Sequence, residues 1–129
     1  MSSPNLVNVV NINGKTTYLI PAVTTNVVLL PNTAASNAVI KINTILISNI
    51  DGFSAINATV SLYTNGAIVQ GSTPTGGIAY PLISIVSVPI GATLSILDKS
   101  IYLEESMSLI VTSGTASKLC YTVSYEIIT

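Results

Sequence analysis

Histidine, arginine and tryptophan are absent from these 129 residues, and cysteine and phenylalanine occur once each. Charge is scarce too. Four lysines and five acidic residues stand where a typical soluble domain of this length carries about 32 charged groups. Each absence removes a class of function. Without histidine there is no Ser-His-Asp or Cys-His arrangement and no imidazole metal ligand. Without arginine there is no bidentate clamp for a phosphate. Four scattered lysines make no basic stripe, so nucleic acid is not an expected partner. Cys120 stands alone, which excludes an internal disulfide, and it reads as a small thiol in or on a sheet. No enzyme, no cofactor and no metal site is expected.

Long apolar runs are missing as well. Residues 53–97 carry no charge, yet Pro, Gly, Asn, Ser and Thr interrupt them throughout. A membrane-spanning helix needs about 20 mostly apolar residues. A membrane barrel would carry aromatic girdles, and aromatic residues make up only 5% here. No membrane association is expected. The opening Met1-Ser2-Ser3-Pro4 has neither a basic nor an apolar stretch, so no signal peptide is expected.

What is abundant is β-branched. Ile (18), Val (13) and Thr (15) favour strands and lose rotamer freedom in helices. No stretch shows a convincing 3.6-residue period, whereas turn signals recur at Asn13-Gly14, Asp51-Gly52, Asn65-Gly66 and Gly76-Gly77. Many short strands with such punctuation predict an all-β fold, an antiparallel β-sandwich of jelly-roll or immunoglobulin-like type.

The expected strands follow from alternation. Leu6 to Ile12 and Lys15 to Ile20 flank Asn13-Gly14, a two-residue hairpin signal. Asn26 to Leu30 is a short strand stopped by Pro31. Val39 to Asn49 is long, with Ile45 and Ile47 inward and a bulge near Lys41. Ala58 to Thr64 carries Val60 and Leu62 inward, and Ala67 to Gln70 returns from Asn65-Gly66. After the polar loop Gly71 to Gly77 come Tyr80 to Val88, with prolines suggesting an edge, then Thr93 to Leu97, Ile101 to Leu103 and Met107 to Thr112. Lys118 to Ile128 alternates most strictly, with Leu119, Tyr121, Val123, Tyr125 and Ile127 on one face. Residues 1–24 read as an N-terminal hairpin or arm and residues 25–129 as the sandwich domain.

Few side chains suggest chemistry. Glu104 and Glu105 are adjacent and would point to opposite faces of a strand, so they read as turn residues. Asp51, Asp98, Glu104 and Glu105 approach a calcium ligand set only if loops from different hairpins cluster. Asn57-Ala58-Thr59 matches a glycosylation sequon, read here as chance. Tyr121 and Tyr125 belong to the core. Tyr63, Tyr80 and Tyr102 are the freer aromatic candidates for a surface or interface.

From Leu30 onward the order of motifs resembles small β-sandwich virion proteins of tailed bacteriophages, including those of cyanophages. The resemblance is carried by Pro31, Ala38-Val39-Ile40-Lys41, Ile45, Ile47-Ser48-Asn49 and Asp51-Gly52. It continues through Ala58-Thr59-Val60-Ser61-Leu62-Tyr63 and the element from Val88-Pro89 to Leu97-Asp98. It ends with Ile101, Leu103-Glu104, Leu109, Val111 and the run from Thr122 to Ile127. The chain departs at Glu105-Ser106-Met107, where the family often has Gly-Asp, and residues before Val27 lie outside the pattern. The resemblance implies a virion structural protein assembled in the host cytoplasm, most simply a capsid cement or decoration protein that bridges capsid subunits. Its partners would be itself, as a homotrimer, and the major capsid protein or another virion protein. The alternatives are a neck, tail or fibre component, or a receptor- or glycan-binding sandwich module. The expected assembly contacts are Leu6, Val7, Val9, Val10 and Ile12 of the arm, with Tyr18, Tyr63, Tyr80 and Tyr102. A surface with so little charge suits burial in a large assembly.

Overall fold

The computed structural model describes residues 9–66 and 69–129. Among them there are nine strands and no helix. They are β1 (Ile12–Leu19), β2 (Val27–Asn32), β3 (Val39–Asn49), β4 (Ile56–Tyr63), β5 (Ala79–Val88), β6 (Thr93–Ser95), β7 (Ile101–Leu103), β8 (Met107–Ser113) and β9 (Leu119–Ile128).

Two antiparallel sheets pack face to face. The front sheet runs β1-β9-β3, and β6 and β7 share the outer edge of β3, pairing with Leu46–Ser48 and Ile40–Ile42 respectively. The back sheet runs β2-β8-β4-β5. β1 and β2 lie in different sheets, and of the consecutive pairs only β4–β5 forms a hairpin ladder within one sheet. With β6 and β7 counted as one broken strand, this is the strand order of a jelly roll, two interleaved Greek keys. An immunoglobulin-like arrangement would place the first two strands side by side. The chain is therefore an all-β sandwich, and the topology chooses the jelly-roll form.

The core is built by alternation. Leu119, Tyr121, Val123 and Tyr125 of β9 are buried against Ile42, Ile45 and Ile47 of β3. Val27 and Leu29 of β2, Ala58 and Val60 of β4, and Leu109 and Val111 of β8 fill the core from the back sheet. Val88, at the end of β5, closes it. Each fully buried Val, Leu or Ile contributes about 1.5–3 kcal/mol before the entropy of ordering it is set against that gain.

Two asparagines tie the sheets together at opposite ends of β3. Asn32, at the end of β2, donates from Nδ2 to Ala38 O at 3.0 Å and to Leu103 O of the front sheet at 2.9 Å. Asn49, at the end of β3, donates to Ser54 O at 3.0 Å and to Val88 O of the back sheet at 2.9 Å. Both side chains are buried. Their amides place a side-chain donor on carbonyls at the strand ends.

Several expectations are corrected. Asn13 and Gly14 make no turn. They lie inside β1, opposite Ile127 and Glu126. Asn and Gly permit a hairpin but do not compel one, and the ten-residue β9 offers a complete partner ladder. The half of that hairpin assigned to residues 6–8 lies outside the described residues. Pro31 does not stop β2, which runs to Asn32, because β2 is an edge strand and an edge tolerates the missing donor. The bulge expected in β3 near Lys41 is present, between Ile42 and Thr44. There Asn43 donates to Glu126 Oε1 at 3.1 Å and accepts from Ser100 Oγ at 3.2 Å. Val69 and Gln70 are not in a strand. β4 is instead answered by β5 from Ala79, and Ala67 lies outside the described residues. β6 ends at Ser95, short of Leu97.

Candidate functional site

The residues singled out as assembly contacts fall on different parts of the sandwich. Leu6 and Val7 lie outside the described residues. Val9 is half-buried, while Val10 and Ile12 are exposed as the chain enters β1. Tyr18 stands on the outer side of β1, across from Thr122 of β9. Tyr102 is exposed on β7 at the other edge of the same sheet, across from Lys41. Tyr80 is exposed on β5, the edge of the back sheet. These three tyrosines occupy three separate edges and do not converge on one platform.

Tyr63 departs from its expected place. It is buried with Val28 and Ile110 in a small second cluster on the outer side of the back sheet. Its hydroxyl accepts from Gly77 N at 2.9 Å. The segment 69–78 lies across this face. Gly71 N donates to Val28 O at 2.8 Å, and Val28 N donates to Ser72 O at 2.9 Å. Gly66 fits because it has no Cβ, since one there would strike Asn32 O and the Met107 backbone. Alternation puts Tyr63 on the outer face, but it cannot reveal that a distant loop covers that face.

Among the described residues no segment covers the outer face of the front sheet in this way. That face carries the hydroxyls of Thr16, Thr44, Ser48, Thr93, Thr122 and Ser124, all partly or fully exposed, with Tyr18, Leu46, Tyr102 and Cys120 set among them. Ser48 and Thr93 share a hydroxyl hydrogen bond of 3.0 Å. Its charges are Lys41 and Glu126, opposite each other with Nζ and Oε1 4.0 Å apart. An exposed pair at that distance adds little stability. It leaves the face neutral.

Large apolar side chains are exposed around this frame. Phe53, at the tip of the turn after Asp51-Gly52, is 91% exposed, and Ile85 on β5 is 69% exposed. Neither was singled out in the sequence. Ile85 also holds φ +53°, a left-handed conformation that is a genuine outlier for a β-branched residue. Its N–H donates to Thr59 Oγ1 at 2.9 Å. Beside β1, Tyr18, Leu19, Ile20 and Cys120 line a shallow apolar groove.

The carboxylates do not assemble into a site. Asp51 is buried at the Asn49 end of β3, where Oδ1 accepts from Phe53 N at 3.1 Å and Oδ2 from Ser54 Oγ at 3.0 Å. Lys118 Nζ lies 4.0 Å from Asp51 Oδ1. Glu105 sits at the Asn32 end, accepting from Asn37 N at 3.1 Å. The 11 residues of β3 separate the two ends by about 30 Å. Among the described residues no group of three His, Cys, Asp or Glu could hold a metal ion. Burial pushes the Tyr121 phenol up to about 12, partly offset by its hydrogen bond with Ser113, and burial raises Tyr125 as well. Tyr121 Oη donates to Thr112 O at 2.9 Å, which marks it as a tie between the sheets.

The class that fold and surface define is a jelly-roll β-sandwich with a sparsely charged, partly apolar exterior. No family model matches the chain, and no curated protein or solved structure matches it either.

Proposed function

We propose that this chain is a structural protein of a tailed-bacteriophage virion, a capsid cement or decoration protein that joins neighbouring capsid subunits. The observation that carries the reading is the exterior of the sandwich. Apolar side chains such as Phe53, Ile85, Tyr18 and Tyr102 stand exposed on a surface with very few charges. Such a surface suits burial by other proteins. The jelly roll is a frequent architecture of viral capsid domains, although fold alone does not fix function. The motifs behind the phage resemblance also fall on structural joints. Ser48-Asn49 and Asp51-Gly52 form the Asn49 tie and its turn, and Val88 to Asp98 spans the passage from the back sheet to the front.

The mechanism is mechanical. Many weak contacts to several capsid subunits act together against internal pressure, and self-association as a trimer places three such surfaces at one junction. Quantitative mass spectrometry of purified particles tests the reading, with binding of the purified chain to head shells that lack it. Hundreds of copies per particle and saturable shell binding are expected. Tens of copies or fewer would move the protein to neck, tail or fibre. Absence from the particle would overturn the proposal.

A further inference from the structure

The four free edges of the two sheets are not alike. The β2 edge is occupied at Val28 by Gly71 and Ser72, and it is broken by Pro31 and by a register shift between Val28 and Leu30. β5 carries Pro81, two register shifts against β4 and the left-handed Ile85. β6 and β7 are three residues each. These are the devices by which proteins blunt sheet edges. Among the described residues β1 has none of them, apart from the Gln70 amide, which donates to Thr17 Oγ1 at 2.8 Å at its far end. Its eight residues keep unbroken register with β9 from Ile12↔Ile128 to Leu19↔Tyr121, with no proline and one charge, Lys15.

The hydrogen-bond phase shows which groups are free. Asn11 and Thr129 exchange both bonds, at 3.0 and 2.9 Å. Along an antiparallel ladder such pairs recur at every second residue. The odd-numbered residues of β1 therefore bond to β9, and Ile12, Gly14 and Thr16 point their N–H and C=O away from the sheet. Tyr18 follows the same phase, and its carbonyl receives only a long 3.4 Å contact from Gln70 Nε2.

We propose that β1 pairs antiparallel with β1 of a second copy, about a twofold axis at Thr16, so that two five-stranded front sheets become one continuous sheet. A second copy is the occupant because the other edges are blunted, which leaves another β1 as the complement. The outward groups on both strands are matched only when even-numbered residues face even-numbered residues. An axis at Lys15 would meet that condition but would set two like charges directly opposite each other. An axis at Thr16 sets threonine opposite threonine and Tyr18 opposite Gly14 of the partner subunit, a favourable aromatic–glycine cross-strand pair. It also brings Ile12 of the partner subunit opposite Ile20, over the apolar groove beside Cys120. With a net charge of −1 the copies repel weakly. A twofold contact cannot close a threefold ring, so in a trimeric protein it joins one trimer to the next. The inference does not depend on the virion reading.

Sedimentation of the full chain, with T16K and T16P beside it, tests the pairing. The Thr16 N–H points outward, so T16P leaves the β9 ladder intact. The wild type is expected as a dimer or an even multiple that melts higher at higher protein concentration, and both variants are expected at half its mass, still folded, with melting that no longer depends on concentration. In a C120S background, mild oxidation of T16C gives a covalent dimer that thiol reduces. Directly opposed, hydrogen-bonded residues have Cα atoms about 5.5 Å apart, within disulfide reach. K15C, which would face Thr17 of the partner subunit, does not cross-link. A monomeric wild type, an oligomer whose mass T16K leaves unchanged, or no cross-linking of T16C overturns the proposal. Slow amide exchange at Gly14 and Thr16 in a monomer also overturns it, and assigns the edge to another segment of the same chain.

Discussion

The two sheets treat their outer faces in opposite ways. The back sheet carries apolar residues outward, Val28, Tyr63 and Ile110, and buries them under its own segment 69–78. The front sheet carries mostly hydroxyls outward, and no described segment covers them. One sequence thus holds two answers to the same problem. A covered face needs a long loop with glycine at its tightest point, whereas an open face needs only Ser and Thr at alternate positions. The price of the cover is dependence on a remote segment, and the open face has no such dependence.

The sharpest way to break the comparison is to substitute matched outer positions. Tyr63→Ala empties the covered cluster and frees Gly77 N, and should cost about 3–4 kcal/mol in urea unfolding. A loss under about 1 kcal/mol would show that the cover is not packed. Asn49→Ala comes next. It removes the side-chain partner of Ser54 O, Val88 O and Asp51 N in buried or half-buried surroundings, at a cost of about 3 kcal/mol. Replacing Asn32 by Ala at the other end should give a loss of similar size, and a much smaller loss there would mean that one tie dominates. Third is pH. The Tyr121 phenol is held neutral, at about 12 against an ordinary value near 10. The unfolded chain therefore releases this proton first, so stability is full below pH 10 and falls by about 2 kcal/mol as pH rises towards 12. Tyr121→Phe should flatten that fall, and an equally steep loss in the variant would assign it elsewhere. The smallest effect belongs to the open face. Thr122→Ala should change stability by less than about 0.5 kcal/mol. A larger loss would mean that the open face is not free.

Much of the fold was legible in the sequence because alternation has a physical cause. β3 and β7 match the bounds read from the sequence, and β9 matches to within a residue, because each buries one face and period 2 records it. Asn13-Gly14 misled because a turn signal describes local permission, while β9 supplied a distant partner. Tyr63 was misplaced for a related reason, since what covers an outward residue is decided far along the chain. The two asparagine ties left a faint trace. Leu-Pro-Asn and Ile-Ser-Asn both end apolar strands on an amide, a residue type suited to capping unpaired carbonyls. Among the exposed large side chains, Tyr18, Tyr80 and Tyr102 can be named from residue type. Phe53 and Ile85 were missed because their exposure depends on a turn tip and on a bulge, which alternation does not describe.

The order of strands in the front sheet has a consequence for biosynthesis. β9 lies between β1 and β3, yet it leaves the ribosome after both. Until then β1 has no strand partner among the described residues, and β3 has the short β6 and β7 along its other side. Closing that gap joins residues more than a hundred positions apart, the kind of distant pairing that slows folding. The nascent chain therefore carries an unpaired β1 until β9 has been made, and the strand that completes the front sheet follows the other eight in chain order.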